Sequence, residues 1–165
     1  MSVRPILTWP HKVLRTPAAP VEAITDEIRT IWNDMIDTME TVPGVGLAAP
    51  QIGVGLALAV VDASDERGQS IRIANPKILA ASEETRTYSE GSPCLPGVSA
   101  EIIRPARVTI AFLDETGAAQ ERELDGVWAV SIQHQIDHLQ GRMYFENLSR
   151  TKREMLLQKA RKVAS

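Results

Sequence analysis

The amino-acid sequence predicts an α+β fold, in which mainly antiparallel β-sheets pack around a buried central helix, with further helices near both ends. Three observations support this fold class. The middle of the chain consists of short apolar or alternating segments separated by turn residues, which is typical of antiparallel strands. Residues 126–139 combine apolar side chains at helical spacing with two histidines four residues apart. Residues 26–41 and 149–163 have helical periodicity and suitable capping residues.

Length and composition indicate a globular protein. We expect residues 1–165 to form one domain, because a chain of this length can bury a substantial core. Hydrophobic content of 44% and charged content of 24% are ordinary for a globular protein and exclude extensive disorder. The net charge of −3 argues against a general nucleic-acid binder, and we expect no specific DNA partner. The single cysteine excludes an internal disulfide.

The sequence contains no apolar segment of the roughly 18 residues that a membrane-spanning helix needs. Its N-terminus also lacks the apolar core of a secretion signal. We therefore expect a cytoplasmic protein with no membrane partner.

The N-terminal segment, residues 3–23, is predicted to be extended, because four prolines interrupt it. A first helix is predicted over residues 26–41, where Thr25 can act as the N-cap. A proline and a glycine then end this helix. Residues 44–53 are rich in glycine and alanine and are expected to form a turn whose backbone approaches another group closely.

Strands are predicted through the middle of the chain, and the Asn75-Pro76 pair is expected to end the second of them. A hairpin is predicted around residues 114–117, with Gly117 where the turn needs a positive φ. The predicted strands cover residues 56–61, 71–74, further strands within 77–90, 107–112 and 121–124.

Residues 126–139 are predicted to form the central helix, with Gly141 just beyond its C-terminus. A short extended segment, residues 143–148, is expected next. The chain then ends in a predicted helix over 149–163, capped by Ser149. Residues 149–165 carry six basic residues against one acidic residue, a net charge of +5. Such a segment is usually a solvated helix face, but it is also suited to a polyanionic partner.

His134 and His138 are candidate metal ligands. A spacing of four places both imidazoles on one face of a helix, with Cβ atoms about 5–6 Å apart, which suits a shared metal ion. In the hydrolase motif H-E-x-x-H the glutamate is the general base, whereas this chain has Gln135 at that position. Two histidines at this spacing can also be ordinary core residues without a metal.

Three segments together resemble the peptide deformylase family. Residues 44–51 (GVGLAAPQ) resemble its first motif, G-x-G-x-A-A-x-Q. Residues 90–97 (EGSPCLPG) resemble the second, E-G-C-L-S-x-P-G. Residues 133–139 (QHQIDHL), with Gly141 and Phe145, resemble the third, Q-H-E-x-D-H-L-x-G-x-x-F. The motifs occur in the family's order and spacing, so the resemblance covers essentially the whole chain.

The resemblance implies a fold and an activity. Peptide deformylases remove the formyl group from N-terminal formyl-methionine, using Fe²⁺ or Zn²⁺ held by one cysteine and two histidines. A glutamate takes a proton from water, while a glutamine side chain and a backbone N–H stabilise the oxyanion. The resemblance therefore assigns His134 and His138 to the metal, Gln51 to the oxyanion and Gln135 to the base position. It also places Gly46 at the reacting centre. The expected peptide-binding residues are Val45, Gly46, Glu90, Val127 and Val130.

The third metal ligand depends on how the second motif is aligned. An alignment without gaps places Ser92 at the position of the family's cysteine. An alignment with two residues inserted before Cys94 and two deleted after it places Cys94 there instead. The gapless alignment is more economical, but a shift of two residues keeps the same side of a strand, so a local bulge would make Cys94 a candidate ligand. In the gapless alignment a hydroxyl replaces the thiolate, and Pro93 has no N–H to donate.

Two main hypotheses follow. In the first, the chain is deformylase-like with lost or strongly reduced activity, and it binds N-terminal formyl-Met peptides, with no metal required. In the alternative, it is an active metal-dependent deformylase that uses His134, His138 and Cys94 to hold Fe²⁺ or Zn²⁺. A substitution that merely traps substrate would explain Gln135 but not Ser92 and Pro93. A third, weaker hypothesis is a ribosome-associated factor, because the basic C-terminal helix contacts the ribosome in this family.

Overall fold

The computed structural model describes residues 2–165, so Met1, the first residue of the predicted domain, lies outside the described residues. Within residues 2–165 there are three α-helices and seven β-strands. The helices are α1 (Asp26–Glu40), α2 (Gly126–Leu139) and α3 (Arg150–Ala164). The strands are β1 (Gly46–Ala48), β2 (Leu58–Val61), β3 (Ile71–Ala81), β4 (Thr85–Ser92), β5 (Leu95–Pro105), β6 (Arg107–Leu113) and β7 (Ala119–Asp125).

The strands pair antiparallel throughout the described part of the chain. Five of them form one sheet in the order β1-β2-β3-β6-β7, and β4 and β5 form a separate two-stranded sheet. This arrangement confirms the predicted α+β fold class. It also leaves β1 at the edge of the larger sheet, where β2 is its only partner among the described strands.

Helix α2 is the buried centre of the fold, as predicted. Every residue from Ala129 to Leu139 is buried. Its apolar side chains pack against the larger sheet in one cluster with residues of β2, β3, β6 and β7. Gly141 follows the helix with φ +77°, a conformation that favours glycine, so the predicted C-terminus is confirmed. The buried helix is what carries the two histidines into the interior.

The terminal helices are also confirmed. The Thr25 hydroxyl caps α1 by accepting a hydrogen bond from the Ile28 N–H at 3.3 Å. The Ser149 hydroxyl caps α3 in the same way, accepting from the Lys152 N–H at 3.3 Å. Leu156 and Ala160 hold α3 against the cluster of buried residues that includes β5 and Cys94. None of the helices in residues 2–165 has the length and apolar character to cross a membrane.

Several strand predictions were wrong in detail. Strand β3 continues through Asn75 and Pro76, because Asn75 adopts φ +51° at an irregularity in the pairing with β6. The Asn75 side chain holds this bulge, since it accepts from the Val21 N–H and donates to the Val21 carbonyl, both at 2.8 Å. Leu56 precedes β2 and instead forms a bridge with Ala19.

Four further segments differ from the sequence prediction. The N-terminal segment, predicted to be extended, contains a 3₁₀ turn at Lys12–Arg15. The glycine-rich turn contains strand β1, and a 3₁₀ turn over Ala49–Ile52 follows it. Strand β5, residues 95–105, was not predicted. The segment expected to be extended over 143–148 contains a 3₁₀ turn at Tyr144–Asn147, where the Glu146 carboxylate accepts from the Met143 N–H at 2.7 Å.

Candidate active site

The two histidines of α2 lie together in the interior. His134 is 8% exposed and His138 is fully buried, and their ring centroids are 5.0 Å apart. The spacing of four residues on one helix produces this pairing, as the sequence predicted.

His138 has two ring nitrogens that no residue among 2–165 hydrogen-bonds. Burial lowers the pKa of His138 well below its ordinary value, and the neighbouring His134 and Arg104 lower it further. The imidazole is therefore neutral, which is the form that binds metal ions. A buried imidazole without protein partners is not a satisfied core histidine, and this favours a ligand at His138.

His134 is oriented by a buried carboxylate. Its Nδ1 lies 2.9 Å from Glu90 Oε1, which leaves Nε2 to face the site. A carboxylate on the second nitrogen of a histidine is the usual support of a metal-binding imidazole. Tyr144 stacks on the His134 ring, with centroids 5.6 Å apart and the planes inclined by 17°.

Glu90 belongs to a buried ion-pair network. Arg104 donates to both Glu90 oxygens, at 2.6 and 2.9 Å, and its guanidinium also lies 3.1 Å from Asp137. Burial by itself raises the pKa of Glu90, but the hydrogen bonds from His134 and Arg104 outweigh it, so the pKa lies below its ordinary value. Glu90 therefore supports His134 here and is ionised.

Sequence reasoning missed Arg104, Asp137 and Tyr144 as parts of this site. Asp137 could have been found, because an aspartate on a fully buried helix requires a cationic partner. Arg104 and Tyr144 carry no such signal, since they reach the histidines only through the paired strands β4 and β5 and the 3₁₀ turn after α2.

Ser92 and Cys94 lie at the tip of the β4–β5 hairpin. Ser92 is the last residue of β4, and Cys94 lies in the turn, where its N–H donates to the Ser92 hydroxyl at 3.2 Å. The Cys94 side chain is fully buried. Burial raises the pKa of Cys94 despite hydrogen bonds from Gln51 and Ser92. Without a metal the side chain is therefore a thiol at neutral pH, and a metal ion bound by Cys94 would displace its proton.

Gln51 is held by two neighbours. Its Oε1 accepts from the Ala48 N–H at 2.9 Å, and its Nε2 donates to Cys94 Sγ at 3.3 Å. The resemblance assigns the Gln51 amide to the oxyanion. This amide therefore lies next to Cys94, the only cysteine in the sequence.

Gln135 lies against the start of β1. The side chain is 4% exposed, and its Oε1 is buried without a hydrogen-bond partner among the described residues. A Cβ atom added to Gly46 would lie 2.5 Å from Gln135 Nε2 and 2.5 Å from Ser131 Oγ. The absence of a side chain at Gly46 thus allows the Gln135 amide to pack against the start of β1.

We predict that Gly46→Ala lowers the free energy of unfolding by about 1–3 kcal/mol, because the added methyl overpacks a contact with two helix side chains. Urea denaturation followed by circular dichroism measures the change. Gly55→Ala is the matched control, since nothing lies within 4 Å of its added Cβ. Adding Gln135→Ala to Gly46→Ala should recover part of the loss. Equal stability of the Gly46→Ala and Gly55→Ala variants would contradict the close packing.

Of the predicted peptide-binding residues, Val45 and Gly46 lie at the start of β1, Val127 and Val130 lie on α2, and Glu90 lies on β4. The Val45 carbonyl accepts from the Ser131 hydroxyl at 3.0 Å, which ties the edge strand to the helix. Val45 and Val127 are large apolar side chains with 37% and 43% exposure, while Val130 is almost fully buried. Exposed apolar groups beside a buried polar cluster are suited to an apolar side chain of a ligand.

The donor set fits a metal ion only in part. His134 and His138 present imidazoles of the required kind, and the unpaired nitrogens of His138 favour a ligand there. However, residues 2–165 contain no group of three or more His, Cys, Asp or Glu side chains that could hold a metal ion. The third ligand is the part of the site that does not fit.

A groove of about 670 Å³ lies elsewhere on the surface, beside the N-terminus of α2. It includes none of the predicted site residues, so it is not the candidate active site. Its lining residues include Ser64, Gln69, Ile71, Arg122 and Trp128.

Comparison with known proteins agrees with this architecture. The polypeptide deformylase family matches residues 3–154. The chain is 42% identical to a peptide deformylase of Phenylobacterium zucineum over 99% of this chain and 98% of that protein. A peptide deformylase structure from Legionella pneumophila superposes with a TM-score of 0.92 at 39% identity, covering 99% and 96% of the two chains.

A structure of the Ehrlichia chaffeensis peptide deformylase in complex with actinonin superposes with a TM-score of 0.91 at 35% identity, covering 98% of both chains. Family match, sequence identity and fold all extend over nearly the full length. The chain therefore belongs to the peptide deformylase family.

Proposed function

We propose that this family member binds N-terminal formyl-Met peptides and removes the formyl group at a strongly reduced rate. The family acts on such peptides and is metal-dependent. The single observation that carries the proposal is Gln135, a buried amide at the position where the third motif has its glutamate. We assign the function to residues 1–165 as one peptide-deformylase-like domain acting in the cytoplasm.

The proposed loss of rate begins with the general base. A glutamine cannot accept a proton at neutral pH, and loss of a general base typically lowers a rate by about 10²–10⁴-fold. Glu90 does not replace it, because both of its oxygens are engaged by Arg104 and His134.

Oxyanion stabilisation is also reduced in this proposal. Pro93 follows Ser92 and has no N–H, and the loss of one such donor typically costs about 10²–10³-fold. Gln51 remains as the second donor, although its Nε2 is engaged with Cys94 Sγ.

We propose that Fe²⁺ or Zn²⁺, when bound, is held by His134 and His138 and supplies a Lewis acid that activates water. The supporting observation is the unpaired imidazole of His138. Ser92 at the third position offers a neutral hydroxyl, which is a poor ligand for these metals. We therefore expect weak and substoichiometric metal binding.

Peptide binding is supported by features that do not depend on the general base, the oxyanion donors or the metal. Strand β1 is an edge strand, and an edge can pair with an extended peptide through its backbone. The exposed side chains of Val45 and Val127, together with Val130 and Gly46, supply an apolar surface at that edge. Glu90 contributes by holding His134 in place.

A second candidate is an active deformylase in which Cys94 is the third ligand. The observation that favours it is the contact between Gln51 Nε2 and Cys94 Sγ at 3.3 Å, which places the thiol beside the proposed oxyanion donor. In this case Cys94→Ala abolishes metal binding and turnover, whereas Ser92→Ala leaves both nearly unchanged.

The test is metal content and peptide affinity of the chain purified anaerobically. The proposed function predicts far less than one iron or zinc per chain, together with measurable binding of formyl-Met-Ala-Ser by calorimetry. Stoichiometric metal that is lost in Cys94→Ala but kept in Ser92→Ala supports the second candidate instead. Absence of peptide binding contradicts the proposed function.

We also propose a ribosomal contact through α3. Five of its six basic residues are exposed, and they point to a polyanionic partner such as ribosomal RNA. The exposed basic residues are Arg150, Lys152, Lys159, Arg161 and Lys162.

We predict that changing Lys152, Lys159 and Lys162 to glutamine lowers co-sedimentation with ribosomes several-fold at low salt, because electrostatic contacts to phosphates are lost. The matched control changes three exposed basic residues outside α3, Lys12, Lys77 and Arg122, to glutamine and so alters the net charge equally. Similar losses in both variants would argue against a contact specific to α3.

A further inference from the structure

Arg67 lies in the loop between β2 and β3 and has an unusual backbone conformation. Its φ is +62°, in the left-handed region that residues other than glycine rarely adopt. A residue keeps such a conformation only where its surroundings hold it, and residues of this kind are concentrated at functional sites. The contacts of Arg67 therefore indicate what the conformation achieves.

The Arg67 guanidinium joins three separate segments of the fold. It donates to the Glu40 carboxylate, at the end of α1, at 2.9 and 3.3 Å. It also donates to the Asp62 carbonyl directly after β2 at 2.7 Å, and to the Gly44 carbonyl two residues before β1 at 3.1 Å. Because a guanidinium has five donors in a fixed planar arrangement, one side chain can hold all three segments.

The loop that carries Arg67 is closed by a buried aspartate. Asp62 is fully buried, and its carboxylate accepts from the Ser64 N–H at 3.0 Å, from the Ser64 hydroxyl at 2.5 Å and from the Gln69 N–H at 2.9 Å. These bonds join residues on both sides of Arg67 in the chain. Contacts within the loop therefore direct the guanidinium towards the turn before β1.

The same loop holds two consecutive carbonyls before β1. Arg67 binds the Gly44 carbonyl, and the Val45 carbonyl accepts from the Asp62 N–H at 2.9 Å. The Val45 carbonyl is thus directed towards β2. Successive residues of an antiparallel strand direct their backbone groups to opposite sides, so Gly46 presents its N–H and carbonyl at the open edge of the sheet.

The position of these backbone groups matters for a peptide that extends the sheet. Strand β1 is an edge strand, and an added strand is bound through main-chain hydrogen bonds whose geometry is narrow. Gly44 itself imposes little restriction on the backbone, so the contact with Arg67 is an important constraint on the turn between α1 and β1.

We propose that Arg67 is a positioning residue for peptide binding, which holds Gly44 and so fixes the start of β1 with the Gly46 backbone groups facing the peptide. This inference rests on the proposed peptide-binding function. In the described part of the chain, the hydrogen bonds of Arg67 reach none of the residues assigned to the metal or the oxyanion. Its replacement is therefore expected to lower peptide affinity without lowering the rate at saturation.

The test is calorimetric titration of Arg67→Met and Arg67→Gly with formyl-Met-Ala-Ser. Each variant should bind the peptide about tenfold more weakly, the equivalent of one misdirected hydrogen bond. The rate of formate release at saturating peptide should stay within about twofold. Glycine suits the positive φ at position 67, so Arg67→Gly should unfold at nearly the same urea concentration as the unaltered chain, which separates a loss of affinity from a loss of stability.

Arg72→Met is the matched control, because it removes the same charge from β3, where Arg72 contacts Asn33 of α1 at 3.1 Å. It should bind the peptide within about twofold of the unaltered chain, since a charge that makes no contact with the peptide edge is screened by salt.

Unchanged affinity in both Arg67 variants overturns the inference but leaves the proposed function intact. An equal loss in Arg72→Met also overturns it, because the effect would then follow charge alone. A fall in the saturated rate as large as the fall in affinity overturns it as well, since Arg67 would then act on the chemical step. Failure of the unaltered chain to bind the peptide removes the proposed function and the inference together.

Discussion

Combining Ser92→Cys, Pro93→Leu and Gln135→Glu is expected to raise the rate of deformylation of formyl-Met-Ala-Ser by about 10⁴-fold. The three changes restore a thiolate ligand beside His134 and His138, a backbone donor for the oxyanion and a general base. Each part acts on a different step, but none is sufficient when the others are missing. The rate is measured with the iron-loaded protein under anaerobic conditions.

Two partial variants serve as controls for this result. Gln135→Glu alone should restore nothing, because the third ligand and the backbone donor are still missing. Ser92→Cys with Pro93→Leu should restore metal binding without the base, and its rate should remain about 10²-fold or more below that of the triple variant. Turnover by Gln135→Glu alone that clearly exceeds that of the unaltered chain would contradict the gapless alignment and would favour Cys94 as the ligand.

Replacement of Arg104 is expected to have the largest effect on stability. Arg104 is 6% exposed and joins Glu90 and Asp137 on two different elements of the fold. Arg104→Met leaves the Glu90 carboxylate buried without its cation and Asp137 with only Arg142, at 3.7 Å, and breaking such a buried pair typically costs about 3–5 kcal/mol. Chemical denaturation measures the loss in the free energy of unfolding.

Arg107→Met is the matched control for Arg104→Met. Arg107 pairs with Glu84 at 3.0 Å, but both side chains are about half exposed, so the loss should be at most about 1 kcal/mol. Adding Glu90→Gln to Arg104→Met should recover part of the stability, because one unpaired charge is removed. Equal losses for Arg104→Met and Arg107→Met would show that the buried network contributes little.

The sequence alone was sufficient to predict the features that depend on residues close together in the chain. Helix α2 was predicted from its apolar spacing and from Gly141, and its bounds agree with the structure. The N-caps Thr25 and Ser149 were predicted for the same reason, because a capping side chain acts within its own first turn. The histidine pair is local as well, since one helix fixes its spacing.

The missed features depend on contacts between distant residues. Strand β5 was not predicted, and its pairing with β4 is what brings Arg104 to Glu90. Asn75 and Pro76 are normally strand-ending residues, but hydrogen bonds to Val21, distant in sequence, keep them within β3. Tyr144 reaches His134 only because a 3₁₀ turn folds back under α2.

Of the predicted site residues, the structure brings Glu90 of β4 and Gly46 of β1 into contact with residues of α2. His134, His138 and Gln135 share one buried helix, and Gly46 contacts Gln135. Cys94 contacts Gln51 and Ser92 instead. The partner of each side chain in that hairpin tip depends on the turn conformation, which spacing alone does not determine.

The central claim is that the chain binds a formyl-Met peptide and turns it over at a strongly reduced rate. The most direct measurement follows release of formate from formyl-Met-Ala-Ser by the unaltered chain, purified anaerobically with excess Fe²⁺, at a peptide concentration shown by calorimetry to saturate the site. We predict saturable binding with a rate about 10⁴-fold below that of the triple variant. A rate equal to that of the triple variant would contradict the account.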